Sequence, residues 1–111
     1  MTQGVDSALG LCRSAGKLVM GFDAVCEGAA KGTVSLVLAA SDVSSGTLKR
    51  LKYACDGLAE VVVMPFTQEQ LRIVSMRKVA VYGVADPNLA NLCLQKLAAQ
   101  TIATKEETSN G

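Results

Sequence analysis

The sequence predicts an α/β protein, a three-layer α/β/α sandwich with helices on both faces of one small sheet. Three observations carry this expectation. Segments with apolar residues at helical spacing alternate with short apolar runs, and the short runs are bounded by glycine or by polar turn residues. Half of the 111 residues are hydrophobic, enough to bury roughly two-thirds of the unfolded surface around one core. A single domain over residues 1–100 is expected, followed by a polar tail over 101–111 that should fray.

Between Val5 and Ala15, the residues Ala8, Leu9, Leu11, Cys12 and Ala15 recur at helical spacing, and Gly16 is a natural stop. "KLVM", Lys17 to Met20, is a short strand ended by Gly21. A second helix should run from Phe22 to Lys31, with Phe22, Val25, Cys26 and Ala29 on one face, Asp23, Glu27 and Lys31 on the other, and Gly32 closing it. "TVSLVLAA", Thr33 to Ala40, is apolar on both alternating faces, the pattern of a central strand covered from both sides.

Ser41, Asp42, Ser44 and Ser45 form a turn rich in N-cap candidates. The third helix then places Leu48, Leu51, Cys55 and Leu58 inward and Lys49, Arg50, Lys52 and Asp56 outward. "AEVVVMPF", Ala59 to Phe66, reads as a second buried strand. Thr67 with Gln70 three residues later is a capping box, so a short helix is expected from Thr67 to about Arg72, with "IVSMRK" as the loop after it. "VAVYGVA", Val79 to Ala85, is another strand. Asp86 followed by Pro87 opens a last helix with Leu89, Leu92, Cys93 and Leu97 inward, ending near Gln100.

Composition excludes several classes of function. Eleven basic residues against ten acidic ones give a net charge of +1, so any nucleic-acid site must be a local patch. No apolar run approaches the ~20 residues of a bilayer span. The N-terminus lacks the basic start and apolar stretch of a secretory signal, and the expected location is the cytoplasm. Cys12, Cys26, Cys55 and Cys93 form no C-x-x-C pair and fall on the apolar sides of helices, where reduced thiols act as small core residues. There is no histidine, which disfavours a metal site and removes the usual general base of nucleophilic catalysis. An enzyme is not expected.

Three groups of residues could carry chemistry. "GLCRSAGK" looks like a phosphate-binding loop, but five residues separate its glycines where four are needed, Leu18 replaces the magnesium-binding Ser or Thr, and a helix precedes it. Asp23 and Glu27, four apart, could be an acid–base pair; a first-turn acid and a Glu27–Lys31 i, i+4 pair explain them more simply. Basic residues cluster twice. Lys49, Arg50 and Lys52 lie on an outer helix face, where solvated charge is ordinary. Arg72, Arg77 and Lys78 lie in or beside a loop with no helical reason to be basic, next to Met76, which can slide under a base while an arginine takes a phosphate.

From about Leu9 to Leu97, "LGLCRSAGKLVMGFDAVCEGAAKGTVSLVLAASDVS", "LKYAC", "VVVMPFTQEQL" and "VAVYGVADPNLANLCLQKL" together resemble the L-seven-Ae and L-thirty-e family of ribosomal RNA-binding proteins, most of all its short bacterial members called YlxQ-like. The resemblance implies an α/β/α sandwich with a mixed, mostly four-stranded sheet and a non-enzymatic role without cofactor. It also implies a structured RNA partner, ribosomal or other and commonly a kink-turn, gripped at a glycine turn and the helix after it. The family's frequent G-x-N-E-x-x-K pattern falls on Gly21, Asp23, Ala24 and Glu27. The glycine is kept and the three readers differ.

Asp23 offers an acceptor where Asn has a donor as well, and Ala24 offers no polar group. Glu27 in place of Lys would disfavour a phosphate about 4 Å away by roughly 1 to 4 kcal/mol. The resemblance thus implies a turn of the right shape with weak affinity for an ordinary kink-turn. Asp42 matches an acidic position next to the RNA, Arg77 a basic loop position, and Val74 and Met76 the apolar side of that loop. Arg72 stands where a glycine is common. The implied RNA-binding set is Lys17, Gly21, Phe22, Asp23, Ala24, Glu27, Asp42, Arg72, Val74, Met76, Arg77 and Lys78. The alternative is a protein-interaction module on the same scaffold, bound to the ribosome or to another protein.

Overall fold

A computed structural model describes the backbone of residues 5–110 and the side chains of residues 7–98. The helices are α1 (Val5–Ser14), α2 (Phe22–Lys31), α3 (Ser45–Cys55), α4 (Arg72–Ser75) and α5 (Pro87–Asn110), and the strands are β1 (Leu18–Met20), β2 (Leu36–Ala39), β3 (Glu60–Val63) and β4 (Val81–Val84). The sheet has the order β1-β4-β2-β3 and is mixed: β4 runs antiparallel to both β1 and β2, and β3 runs parallel to β2. This is the expected three-layer sandwich.

Alternation along β2 divides the core. Leu36 and Leu38 face α1, α4 and α5, in a cluster with Leu9, Cys12, Leu71, Val74, Tyr82 and Cys93. Val37 and Ala39 face α2 and α3, with Val25, Ala29, Leu51, Cys55 and Val81. Both central strands, β2 and β4, are buried at every position, which is why their sequences are apolar on both faces. A side chain has no room at Gly28 of α2 or Gly83 of β4, where a Cβ would come 2.6 and 2.9 Å from the Val34 methyls. Val34 thus fills the space that lets α2 lie close on β4.

The thiols follow this division and are all free. Cys12 and Cys93 meet between α1 and α5, Sγ to Sγ 3.9 Å. The hydrogen bond shared with Cys12, and after it burial, hold the Cys93 thiol well above its ordinary value. Burial also pushes Cys26 and Cys55, neighbours between α2 and α3, upward.

Several sequence expectations need correction. β3 is an edge strand with one partner, and Glu60 and Val63 are exposed, so the Ala59–Phe66 run is not a second buried strand. Its valines signal strand propensity, which does not distinguish centre from edge. Leu58 follows the end of α3 and is 50% exposed. Leu11, also expected inward, is exposed: it lies about 100° around α1 from the mean direction of Ala8, Leu9 and Cys12, beyond the buried stripe.

The Thr67 capping box is present, with Thr67 N–H donating to Gln70 Oε1 at 2.8 Å and Gln70 N–H to Thr67 Oγ1 at 3.1 Å. It closes a turn, and the regular helix comes only afterwards, at Arg72–Ser75, inside the stretch expected as loop. Asp86 caps α5 as expected, its Oδ1 accepting from Asn88 and Leu89 N–H at 2.8 and 3.1 Å. α5 does not stop near Gln100 but continues to Asn110. Residues 98–109 contain neither glycine nor proline, so no breaker ends it.

Candidate nucleic-acid interface

The strand directions bring distant segments to one end of the sheet. The C-terminal ends of β1 and β2 lie beside the N-terminal end of β4, with Met20 opposite Tyr82 and Ala39 opposite Val81. The parallel pairing puts the end of β3 there as well, with Met64 N–H donating to Ala39 O at 2.7 Å. The Gly21 turn, the 40–44 loop and the 64–80 segment are therefore neighbours, although up to 60 residues separate them in sequence.

Gly21 is the N-cap of α2 and adopts φ 104°, ψ 148°, a region essentially closed to residues with a Cβ. Its N–H donates to Val81 O at 2.9 Å, and its carbonyl accepts from Val25 N–H at 3.0 Å. The turn is thus tied to the sheet by backbone alone, and no side chain caps the helix. Asp23 and Ala24 are exposed in the first turn of α2. Glu27 pairs with Lys31 at 3.2 Å on the surface, with both side chains about two-thirds exposed. Such a pair contributes a few tenths of a kcal/mol, so it accounts for Glu27 without obliging it to stay.

The 67–80 segment is held differently. Val74 and Ser75 are buried while Arg72, Ile73, Met76, Arg77 and Lys78 are exposed. The Ser75 hydroxyl is placed to donate to the carbonyls of Leu71 and Arg77, folding the chain back on itself. Met76 closes α4 at φ 69°, alone among the described non-glycine residues in having a positive φ, and its N–H donates to Arg72 O at 2.8 Å. That left-handed turn is what presents Arg77 and Lys78 outward. Beneath it, the Tyr82 hydroxyl is buried with no partner at hydrogen-bond geometry. Burial pushes its pKa up, against the opposing pull of nearby Ser75 and Arg77.

The set read from sequence divides accordingly. Gly21, Asp23, Ala24, Asp42, Arg72, Met76, Arg77 and Lys78 belong to segments at this one end of the sheet. Asp42 also has a structural task, since its Oδ1 accepts from Gln68 N–H at 3.0 Å and ties the 40–44 loop to the capping-box turn. Arg72 is partly engaged by Glu69 at 3.4 Å, whereas Arg77 and Lys78 have no acidic partner among the described residues. Phe22 turns its ring to the α3 side, under the Arg50 guanidinium at 4.8 Å.

Three residues fall elsewhere. Lys17 precedes β1, at the opposite end of that strand from Gly21. Glu27 is more than one turn down α2. Val74 is 5% exposed and packs in the core, so it supports the segment from below and presents nothing to a ligand. The outward apolar neighbour is Ile73, 75% exposed, which sequence reading passed over. Helical counting from Leu71 could have found it, because 71, 74 and 75 face inward and leave 72, 73 and 76 outside.

No family model and no curated protein matches this chain. Solved structures do. A protein of unknown function from Bacillus halodurans C is 27% identical, with a TM-score of 0.77, over 85% of this chain and 96% of that one. The Giardia lamblia 15.5kD RNA binding protein is 15% identical, with a TM-score of 0.69, over 85% of this chain and 82% of that one. At that identity the second likeness is one of fold.

Proposed function

We propose that this chain is a non-enzymatic, cytoplasmic RNA-binding protein of the L-seven-Ae type that grips a structured RNA, ribosomal or other, at the sheet end built from the Gly21 turn and the 72–78 segment. The observation that carries this reading is that the Gly21 turn is hydrogen-bonded to Val81, the first residue of the strand that follows Arg77 and Lys78, two cations with no acidic partner among the described residues. The Giardia neighbour, named as an RNA-binding protein, supports the same reading.

Each part has a physical task. The first N–H groups of α2 and its dipole favour an anion beside the turn. Arg77 and Lys78 meet phosphates, and exposed Met76 and Ile73 cover an unstacked base. Asp23, Ala24 and Glu27 lack the donors and the cation that a kink-turn reader supplies, so the preferred target differs from an ordinary kink-turn.

The exposed apolar pair Ile73 and Met76 favours, as a second reading, a protein-interaction module on the same scaffold. One titration separates the two: kink-turn RNA and total ribosomal RNA, at two salt concentrations, with the wild type and Arg77→Ala. The RNA reading expects binding that is weaker for the kink-turn, with Arg77→Ala several-fold weaker and its log–log salt slope smaller by about 1. Absence of binding to either RNA at low salt leaves only the protein module.

A further inference from the structure

A second surface lies on the α2–α3 face of the sheet, away from α4 and α5. Phe22, Lys49, Arg50, Tyr53 and Ala54 line a groove of about 590 Å³ between these helices. Tyr53 is 86% exposed, the most exposed large side chain among the described apolar and aromatic residues. Nothing in the fold needs it there: Leu51 and Cys55 bury the inner face of α3, and Tyr53 stands on the outer one. It lies i+4 from Lys49 and i+3 from Arg50, so all three share one helical face. The Arg50 guanidinium reaches across to the Phe22 ring of α2, 4.8 Å from its centroid, and makes a second flat platform beside Tyr53.

The charge of the groove selects its occupant. α3, Ser45–Cys55, carries Lys49, Arg50 and Lys52 and no acid, and none of the three forms an ion pair among the described residues. Asp23 and Asp56 flank the groove on the first turn of α2 and just beyond α3, without closing on these cations. An apolar protein segment would gain from Tyr53 and Phe22 but would leave the two lining cations, Lys49 and Arg50, to be matched. A strand of unpaired nucleotides uses both features, with bases on the flat groups and phosphates on the cations.

We propose that the α2–α3 groove binds single-stranded RNA, with an unpaired base stacked on Tyr53, the Arg50–Phe22 stack as a second platform, and Lys49 on a flanking phosphate. Stacking offers no hydrogen-bond code, so the groove is tolerant of sequence. The inference rests on the RNA-binding reading only for the kind of ligand. Phe22 directly follows Gly21, so a strand leaving a structured RNA at the turn would enter this groove next.

The test is fluorescence anisotropy with a labelled twelve-nucleotide oligo(A) RNA, run beside a structured RNA, on wild type, Tyr53→Ala, Tyr53→Phe, Lys49→Ala and Arg77→Ala. Tyr53→Ala is expected to weaken oligo(A) about tenfold and Tyr53→Phe by much less, since stacking needs the ring and not the hydroxyl. Loss of Lys49 should lower the salt slope by about 0.7, one phosphate contact on a single strand. Arg77→Ala should leave oligo(A) binding unchanged while weakening the structured RNA, so failure of either site shows separately.

A direct signal is available as well. The chain has two tyrosines and no tryptophan, and Tyr82 is fully buried, so quenching of tyrosine emission by oligo(A) reports Tyr53 and should vanish in Tyr53→Phe. An unchanged circular dichroism melt shows that each variant is folded. Equal oligo(A) affinity for wild type and Tyr53→Ala overturns the proposal. So does self-association that Tyr53→Ala abolishes in the absence of oligo(A) binding, which would assign the groove to a protein partner.

Discussion

The Gly21 turn and the 71–80 segment stand side by side at one end of the sheet and keep their shapes by opposite means. The turn is set by backbone: one glycine at φ 104° and two main-chain hydrogen bonds, with Asp23 and Ala24 exposed and uncommitted. The segment is set by side chains: a capping box at Thr67, the Ser75 hydroxyl on two carbonyls, and Val74 and Val79 in the core. A backbone-set site can exchange its chemistry at little cost in stability. The segment can exchange only its exposed residues, Arg72, Ile73, Met76, Arg77 and Lys78, because Val74, Ser75 and Val79 beneath them fold it. The backbone frame leaves residues 23, 24 and 27 free to vary while the turn itself persists.

The largest expected effect tests the exchangeable side of that contrast. On the proposed reading, Asp23→Asn, Ala24→Glu and Glu27→Lys together should raise affinity for kink-turn RNA at least about tenfold, because residue 24 gains a polar group and a carboxylate one turn further along α2 becomes a cation. The melting temperature should barely move, since the Glu27–Lys31 pair is a surface pair. No gain in a binding titration would separate the turn from any RNA role.

Gly21→Ala should do the reverse. It leaves every reader in place but forces a Cβ into φ 104°, lowering stability by about 1–3 kcal/mol in urea unfolding and weakening RNA binding through the displaced turn. A variant as stable as wild type would show that side chains, and not the glycine, hold this turn.

Met76→Gly sharpens the same point from the other region. Its side chain is 68% exposed and its φ is 69°, so glycine should leave stability unchanged or raise it by up to about 1 kcal/mol while removing an apolar contact from the RNA. Loss of more than that would mean that the methionine is a packing residue.

The smallest effect is expected beneath the segment. Tyr82→Phe removes a buried hydroxyl without a good partner, so the melting temperature should stay level or rise slightly. A drop equivalent to about 1 kcal/mol or more would establish a working Tyr82–Ser75 hydrogen bond and make Tyr82 part of the network that shapes the segment.

Much of this was legible before any coordinates. The period of the apolar residues and the flanking glycines locate α2, and the Asp86-Pro87 pair fixes the start of α5, because each depends on contacts within a few positions of the chain. The Gly21 turn was visible for the same reason. The other side of the site was half legible. Arg77 and Lys78 stand out as loop cations, but a stretch read as loop gives no face to Val74 or Ile73; only as a helix does counting from Leu71 separate the buried one from the exposed one.

By itself, then, the sequence determined the layers, the caps, the glycine turn and the supply of cations, all of which follow from local spacing and backbone preference. Only the tertiary structure decided that β3 is an edge, since edge and centre differ by a partner strand and not by propensity. It also decided which end of the sheet gathers Gly21, Asp42 and Arg77, and that Tyr53 of α3 faces Phe22 of α2 across one groove. Those relations come from antiparallel pairing and the stacking of helices on a twisted sheet, which join residues tens of positions apart and leave no periodic trace in the chain.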